Sequence, residues 1–338
     1  MKSSTKDEVL KLLIEANEQA VSGQQLADQL HISRTAVWKH IQRLQEEGFQ
    51  IDTVKKQGYV LQRHTFEHLT QAEVASFLKT KEFGRTLHLY DEVESTQLIA
   101  HTLVAEGTPN GTVVTAETQT AGRGRMMREW DSAKRKGLWF TVIVRPDCLP
   151  HEAPQFTLIA AVAIVNAVKS LYPQLNPQIK WPNDILINGR KCTGILTEMV
   201  SEIDRIRALL IGIGINVNHQ KEDFPDNIQE IATSLQMALM DLASGEEEIV
   251  REVNRAELLA EILLYLENYS ALYLKHGFSR IKPLWEEASC TIGNQVRATT
   301  FREVIEGKAL AITNTGVLQI EKADGSIAEV YSADVELM

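Results

Sequence analysis

The run Lys180–Leu196 reads KWPNDILINGRKCTGIL, and its centre decides what kind of sheet this chain builds. Two extended runs, DILI and RKCTGILTEMV, are separated only by Asn188-Gly189. Asn-Gly accepts positive φ at both central positions of a two-residue turn, so the chain reverses there and the flanking strands pair antiparallel. A doubly wound parallel sheet is thereby disfavoured, and a mixed or largely antiparallel sheet with helices is expected. The same run holds an inflexible Trp181-Pro182 corner, an Asp184 that reads as buried, and Lys191 just after the hairpin turn.

Outward from this hairpin the neighbouring segments fit the same sheet. Upstream, TLHLYDEV is extended, STQLIAHTLVAEG is helical, and GTVVTAE and GLWFTVIVRP are extended again. Downstream, RALLIGIGINVN supplies another strand, and a helical stretch with charged faces runs from about Asp241 to Glu287. The apolar run TLIAAVAIVNAVKSLY from Thr157 is interrupted by Asn166 and Lys169 short of a membrane span, and it reads as a buried helix. Short strands QVRATT, EVIEGKALAIT, GVLQIEK and IAEVYS then form a small all-β barrel.

Residues 1–63 form a separate unit. A first helix carries Val9, Leu10, Leu12, Leu13 and Ile14, Ser22 caps a second, and Ser33 caps RTAVWKHIQRLQEEG, which Gly48 ends. In this third helix Val37, Ile41 and Leu44 share one stripe, while Thr35, Lys39, Gln42 and Arg43 lie off it. FQIDTV and YVLQ flank the basic tip KKQG. Three helices and a basic hairpin in this order predict a winged helix-turn-helix that sets its third helix in the major groove. Lys39, Arg43, Lys55 and Lys56 mostly supply phosphate contacts, and Arg34 is a further DNA-binding candidate. Thr35, Gln42 and Trp38 are candidates for base edges, with Trp38 equally able to tuck under the wing. Trihelical units also dock proteins, but the basic charge here is confined to the two elements that would touch DNA. Arg63–Thr70 is a polar connection, so the expected domains are 1–63, 64–287 and 288–338.

The bulk composition narrows the function classes. With 338 residues, two or three domains are expected, and 44% hydrophobic with 24% charged residues is ordinary for a globular chain. The net charge of −10 argues against binding nucleic acid with the whole surface, so the N-terminal basic patch stands out. MKSSTKDEVLKLL lacks the apolar block of a signal peptide, and three scattered cysteines suit a reducing cytoplasm. There is no GxxxxGK[ST], GxSxG or HExxH, and Gly212-Ile213-Gly214 lacks the third glycine of a dinucleotide fingerprint.

The chemistry gathers in four places. ETQTAGRGRMMREW, Glu117–Trp130, places Gly122 and Gly124 where backbone N–H groups can approach a ligand. Its Arg123, Arg125 and Arg128 are permanently charged donors for carboxylate or phosphate, and Trp130 offers a flat face. Alone it favours a ligand-binding loop only slightly over a flexible polar loop with no ligand. Glu94-Ser95-Thr96-Gln97 stands at a strand-to-helix junction, where either hydroxyl could serve only as a cap. KWPND with Lys191, and IGIGINVN over Ile211–Asn218, complete the set.

Together these motifs resemble the biotin–protein ligases. With the N-terminal module, the chain from about residue 5 to its end is similar to the bifunctional bacterial biotin ligase and biotin-operon repressor family. That resemblance implies an α+β multidomain protein with a class II synthetase-like central mixed-sheet domain and an SH3-like C-terminal β-barrel. It implies a biotin–[acetyl-CoA-carboxylase] ligase that makes biotinyl-5′-AMP from biotin and ATP, with Mg²⁺ for the pyrophosphate. Biotin then passes to a lysine of a biotin carboxyl carrier protein, of acetyl-CoA carboxylase or pyruvate carboxylase. With the adenylate bound, the chain would dimerise and repress from operator DNA, in the cytoplasm and away from membranes.

Residue by residue, the resemblance places the biotin ureido ring on Ser95, Thr96 and Gln119, near the backbone of Gly122, Arg123 and Gly124. Gln97 stands where the family commonly has Asn. Arg123, Arg125 and Arg128 order over the adenylate phosphate, and Lys191 sits between biotin carboxylate and α-phosphate. Trp130 packs on adenine with Phe224 as candidate partner, and Asn216 and Gly194 line the same pocket. Asp184 either holds the metal or orients Lys191, the second being favoured. Two other readings are a transcription factor whose ligase-like domain only senses a small molecule, and a lipoate ligase.

Overall fold

The computed structural model describes residues 5–16, 18–46, 49–62, 69–202, 205–243 and 252–338. Gly48 as a helix stop, most of the Arg63–Thr70 connection and residues 244–251 of the expected charged helix lie outside the described residues. The chain forms two compact units, residues 1–79 and 80–338.

The first unit contains α1 (Thr5–Glu15), α2 (Gly23–Leu30), α3 (Arg34–Glu46), the hairpin β1 (Ile51–Val54) and β2 (Gly58–Leu61), and α4 (Gln71–Phe77). Its core joins Val9, Leu10 and Leu13 of α1 to Leu26, Val37, Ile41 and Leu44, the apolar stripes expected from the spacing. The Ser22 hydroxyl accepts from Gln25 N at 3.1 Å while the Gln25 side chain accepts from Ser22 N at 2.9 Å, a reciprocal capping box. Ser33 caps α3 by accepting from Ala36 N at 3.1 Å. The hairpin pairs Ile51 with Leu61 and Val54 with Gly58. At Gly58 φ is +126° and a Cβ would stand 2.1 Å from the Val21 carbonyl oxygen, so no other residue fits there. Composition assigns α4 to the central domain, but α4 packs on α1 and Ala72 enters the N-terminal core, so the break falls after Lys79.

The second unit is built on a seven-stranded sheet. In chain order its elements are β3 (Leu87–Val93), α5 (Thr96–Ala105), β4 (Thr112–Gln119), β5 (Gly137–Val144), α6 (Gln155–Leu171) and β6 (Gln178–Lys180). They continue with β7 (Asp184–Ile187), β8 (Arg190–Glu202), β9 (Arg205–Asn216), α7 (Leu235–Leu242), α8 (Arg255–His276) and α9 (Lys282–Glu287). The strand order is β3-β4-β5-β9-β8-β7-β6. Only β3–β4 is parallel, because α5 crosses between them, and every other pair is antiparallel. Asn188 and Gly189 carry φ of 51° and 75°, the pair of positive values that the β7–β8 turn needs.

The apolar run from Thr157 is α6, whose residues from Leu158 to Val165 are all buried against α8 and the sheet. It is the one described helix long and apolar enough to cross a membrane, and its burial marks it as a core helix. The last strands, β10 (Gln295–Thr299), β11 (Val304–Ile312), β12 (Leu318–Glu321), β13 (Ile327–Val330) and β14 (Asp334–Leu337), form one antiparallel sheet with β13 and β14 at its edges. This small sheet belongs to the same compact unit as the large one, and the Trp181 indole donates to Gly316 O at 3.1 Å to join them. Sequence reading misses β6, α7 and β14, each too short to show a period.

Candidate active site

A cavity of about 300 Å³ opens over the sheet where β8 and β9 run side by side. One end is neutral and hydrogen-bonding. Ser95 caps α5 by accepting from Gln97 N at 3.2 Å. The Gln119 carbonyl oxygen, at the end of β4, accepts from Thr96 N at 2.9 Å and from the Thr96 hydroxyl at 3.2 Å. The Gln119 amide nitrogen donates to the Ser132 hydroxyl at 3.1 Å, which fixes which way the amide faces. Ser95 thus acts as a cap, whereas Thr96 is bonded across to β4. Gln97 reaches the large sheet: its amide nitrogen donates to Leu196 O at 3.1 Å, and its Oε1 is buried without a partner. A Cβ on Gly212 would lie 3.0 Å from that amide, so the glycine makes room for it.

The other end is cationic. The loop after β4 leaves and returns through Trp130 N donating to Gly122 O at 2.9 Å and Gly124 N donating to Arg128 O at 2.8 Å. Between these rungs Met126 and Met127 sit at φ of 55° and 60°, a left-handed pair that side chains rarely adopt. Arg125 is half-buried; it donates to Asn183 Oδ1 at 3.1 Å and to the Ser332 hydroxyl at 2.7 Å. Burial pulls its guanidinium below the ordinary value, with Asp184 and Asp334 opposing that fall. Arg128 donates to Asp334 Oδ2 at 2.7 Å, and this bond holds the Asp334 carboxyl below the usual carboxylate range. Arg123 faces outward toward Glu94 at 4.0 Å.

Lys191 stands between the two ends. Its Nζ is 2.8 Å from Asp184 Oδ1, a charge contact rather than an aligned hydrogen bond, and 5.4 Å from the centre of a Trp130 ring. The other Asp184 oxygen lies 3.5 Å from Lys180 Nζ, so one carboxylate holds two ammonium groups. No cluster of three or more His, Cys, Asp or Glu able to hold a metal occurs among the described residues. Trp130 lies flat on glycine: a Cβ on Gly194 would meet its ring at 2.7 Å and one on Gly214 at 2.5 Å. Phe224 closes the far wall, and Asn216 lines it while donating to Thr233 O at 3.1 Å.

The cavity therefore gathers fourteen of the residues singled out from sequence, and Gly122 is the exception. It does not line the cavity. A Cβ there would stand 2.6 Å from Trp130 O, so its part is to let the loop close. Sequence reading missed Asp334 and Ser332, for which no local signal exists, and it passed over Asn183 and Lys180, which stand within the quoted KWPND.

In the first unit Arg34, Thr35, Trp38, Lys39, Gln42, Arg43, Lys55 and Lys56 are all exposed, on α3 and the hairpin tip. Trp38 is 48% exposed, so it is not tucked under the wing.

Residues 90–216 match the model of the biotin/lipoate A/B protein ligase family. Residues 5–60 match an HTH domain, and 291–338 the biotin protein ligase C-terminal domain. The chain is 45% identical over 337 residues, the full length of both, to the bifunctional ligase/repressor BirA of Bacillus spizizenii. It is 27% identical to that of Escherichia coli, over 97% of this chain and 96% of the other. Among solved structures it resembles the biotin protein ligase of Aquifex aeolicus in complex with biotin and ATP, with a TM-score of 0.62 and 27% identity. That match covers 75% of this chain and 99% of the other. Conserved in order over the whole length, these three regions place the chain in the biotin/lipoate protein ligase family, among its bifunctional ligase/repressor members.

Proposed function

We propose that this protein is an ATP-dependent biotin–protein ligase that also acts as a transcriptional repressor. The single observation that carries the ligase reading is the polarity of the cavity, with a neutral hydrogen-bonding end and a cationic end joined past Lys191. Biotin fits that division, because its ureide is neutral and rich in donors and acceptors while its tail ends in a carboxylate. The Ser95, Thr96 and Gln119 end suits the ureide. The dithiolane of lipoate has no N–H to offer there, so biotin is favoured over lipoate.

In the first step a biotin carboxylate oxygen attacks the α-phosphorus of ATP. A P–O bond forms, the bond to the β-phosphate oxygen breaks, and pyrophosphate leaves. Bringing two anions together is the main obstacle, and positioning plus neutralisation lowers it. Lys191 is placed to neutralise both, with Arg125 and Arg128 toward the phosphates. Asp184 already faces two ammonium groups, which supports the role of orienting Lys191 over that of holding metal. Mg²⁺ then arrives with the triphosphate as part of the substrate. In the second step a carrier-protein lysine amine attacks the acyl carbon and AMP leaves. Closure of the arginine loop keeps water from the mixed anhydride until then.

The exposed basic face of α3 and the hairpin tip support operator binding, with a homodimer formed when the adenylate is held. A sensor without enzymatic activity would not need Lys191 and the arginines to converge on one cavity.

The test is to incubate the protein with biotin, ATP and Mg²⁺ and look by mass spectrometry for biotinyl-AMP, with lipoate in a parallel tube. Biotinyl-AMP is expected, falling about a hundred- to a thousandfold in rate for Lys191→Ala, by analogy with lost oxyanion donors. An adenylate formed only from lipoate would overturn the substrate assignment.

A further inference from the structure

Of the three aromatic rings that line the cavity, Phe224, Trp130 and Phe140, the first two are the ends of one chain of rings. Phe224 stacks on His219 with centroids 4.8 Å apart and planes 10° from parallel. His219 meets Trp139 edge-on at 5.7 Å, and Trp139 meets Trp130 edge-on at 6.3 Å. The two inner rings never reach the surface: His219 is 0% exposed and Trp139 is 1% exposed. Trp139 in turn fills the space above Gly137, where a Cβ would stand 2.3 Å from its ring.

His219 is a costly residue to bury here. Neither ring nitrogen makes a well-formed hydrogen bond, the Lys136 backbone offering only a weak one, and an under-satisfied buried polar group works against stability. Burial pushes the imidazole down to about 4, with the Lys136 charge adding to the fall and Asp223 and the Lys136 backbone opposing it, so the ring is uncharged at neutral pH. An uncharged, planar imidazole leaves the neighbouring phenyl face free of any charge that must be solvated. The chain around Phe224 is pinned as well. Phe224 O accepts from the Gln229 side chain at 3.0 Å, and Asp223 is held by Gln220 N at 2.8 Å and by Lys136 at 3.2 Å. A ring held on one face by a parallel neighbour, with its backbone fixed on both sides, presents one orientation to whatever enters the cavity.

We infer that His219 is a positioning residue for the nucleotide end of the cavity: with Trp139 behind it, its imidazole fixes the Phe224 ring as the flat wall on which a purine base stacks. This rests on the nucleotide reading of the cavity given above. His219 touches no substrate and acts through Phe224, so its removal should be felt by ATP and not by biotin.

The experiment measures initial rates of biotinyl-adenylate formation for the wild type, His219→Ala and His219→Phe. ATP is varied at saturating biotin, and biotin at saturating ATP. His219→Ala is expected to raise the KM for ATP about tenfold, the order of one lost aromatic contact, while the KM for biotin stays within about twofold. An unchanged biotin KM also reports that the variant is folded. His219→Phe keeps a ring behind Phe224 and should restore the ATP KM to within about twofold of the wild type. Equal changes in both KM values, no change in either, or a Phe variant as impaired as the Ala variant would each overturn the inference. A wild type that makes no adenylate fails in the first tube and removes the nucleotide reading itself, and with it this role for His219.

Discussion

The buried His219 makes the stability of the second unit depend on pH in a calculable way. Its folded value is about 4 against 6.5 for an ordinary histidine. The unfolded chain therefore binds a proton between those limits that the folded chain refuses. Because the folded value is depressed, the contribution is intact above pH 6.5, and it is lost progressively as pH falls toward 4. At about 1.36 kcal/mol per pH unit the full loss is about 3 kcal/mol, roughly half of it incurred by pH 5.5. Asp223 beside the ring opposes the shift, and Lys136 acts both ways, its charge enhancing the shift and its backbone opposing it, so both residues must stay in place for the comparison. Urea unfolding of wild type and His219→Phe at pH 7.5, 5.5 and 4.5, followed by tryptophan fluorescence, isolates this group, because every other titration is common to both. The variant should gain about 2.5 kcal/mol on the wild type between pH 7.5 and 4.5, whatever its offset at neutral pH. Parallel stability curves would refute the reasoning, since they would mean that the imidazole is already charged when folded or that its environment is wet.

Three further outcomes follow from the geometry. Thr96→Val removes the hydroxyl that bonds to Gln119 at 3.2 Å and should raise the KM for biotin about tenfold with little change for ATP, measured in the adenylation assay. Gly194→Ala would put a Cβ 2.7 Å from the Trp130 ring, so the indole must move; weaker binding of both substrates and an altered tryptophan emission are expected. Replacing Lys39 and Arg43, both exposed on α3, should reduce the salt dependence of operator binding by about two ions and leave ligation intact, as measured by mobility shifts at several salt concentrations. Ligation falling in step would show that the two units are not functionally separable.

What could be read from the sequence was whatever is written locally. Asn188-Gly189 specifies its turn through φ alone, and the capping box at Ser22 and the stripe Val37, Ile41, Leu44 need only a few neighbours. The chemical motifs were legible only together, since a loop with two glycines and three arginines points to an anion once Ser95-Thr96, KWPND and IGIGINVN stand beside it. Contacts made across the chain were not legible. Arg125 and Ser332 are 207 positions apart, and nothing near either one announces the other. His219 follows a strand without any motif, and only the assembled sheet places it between Phe224 and Trp139. The extent of the first compact unit, to Lys79 and not to residue 63, was illegible for the opposite reason: α4 looks in composition like the segment that follows it, but it packs on α1.

The arrangement of charge explains how a chain with a net charge of −10 holds a cationic cavity. Lys180 and Lys191 share Asp184 and Arg128 faces Asp334, each within 3.5 Å, whereas Arg123 stands 4.0 Å from Glu94 and Arg125 is held by the neutral Asn183 and Ser332. Like charges this close repel one another, and carboxylates at these distances offset that repulsion. The Arg128–Asp334 pair is largely exposed and so is weakly held, worth under about 1 kcal/mol. Asp184 is buried and holds its lysines more firmly, because water competes less for them. On the proposed reading an incoming phosphate therefore exchanges partners with Arg128 at little cost, while Lys191 keeps Asp184 at its back and offers its remaining donors to the reacting oxygens. The two acids at the cavity wall differ in burial, and on that reading the exposed Asp334 releases its cation while the buried Asp184 aims its own.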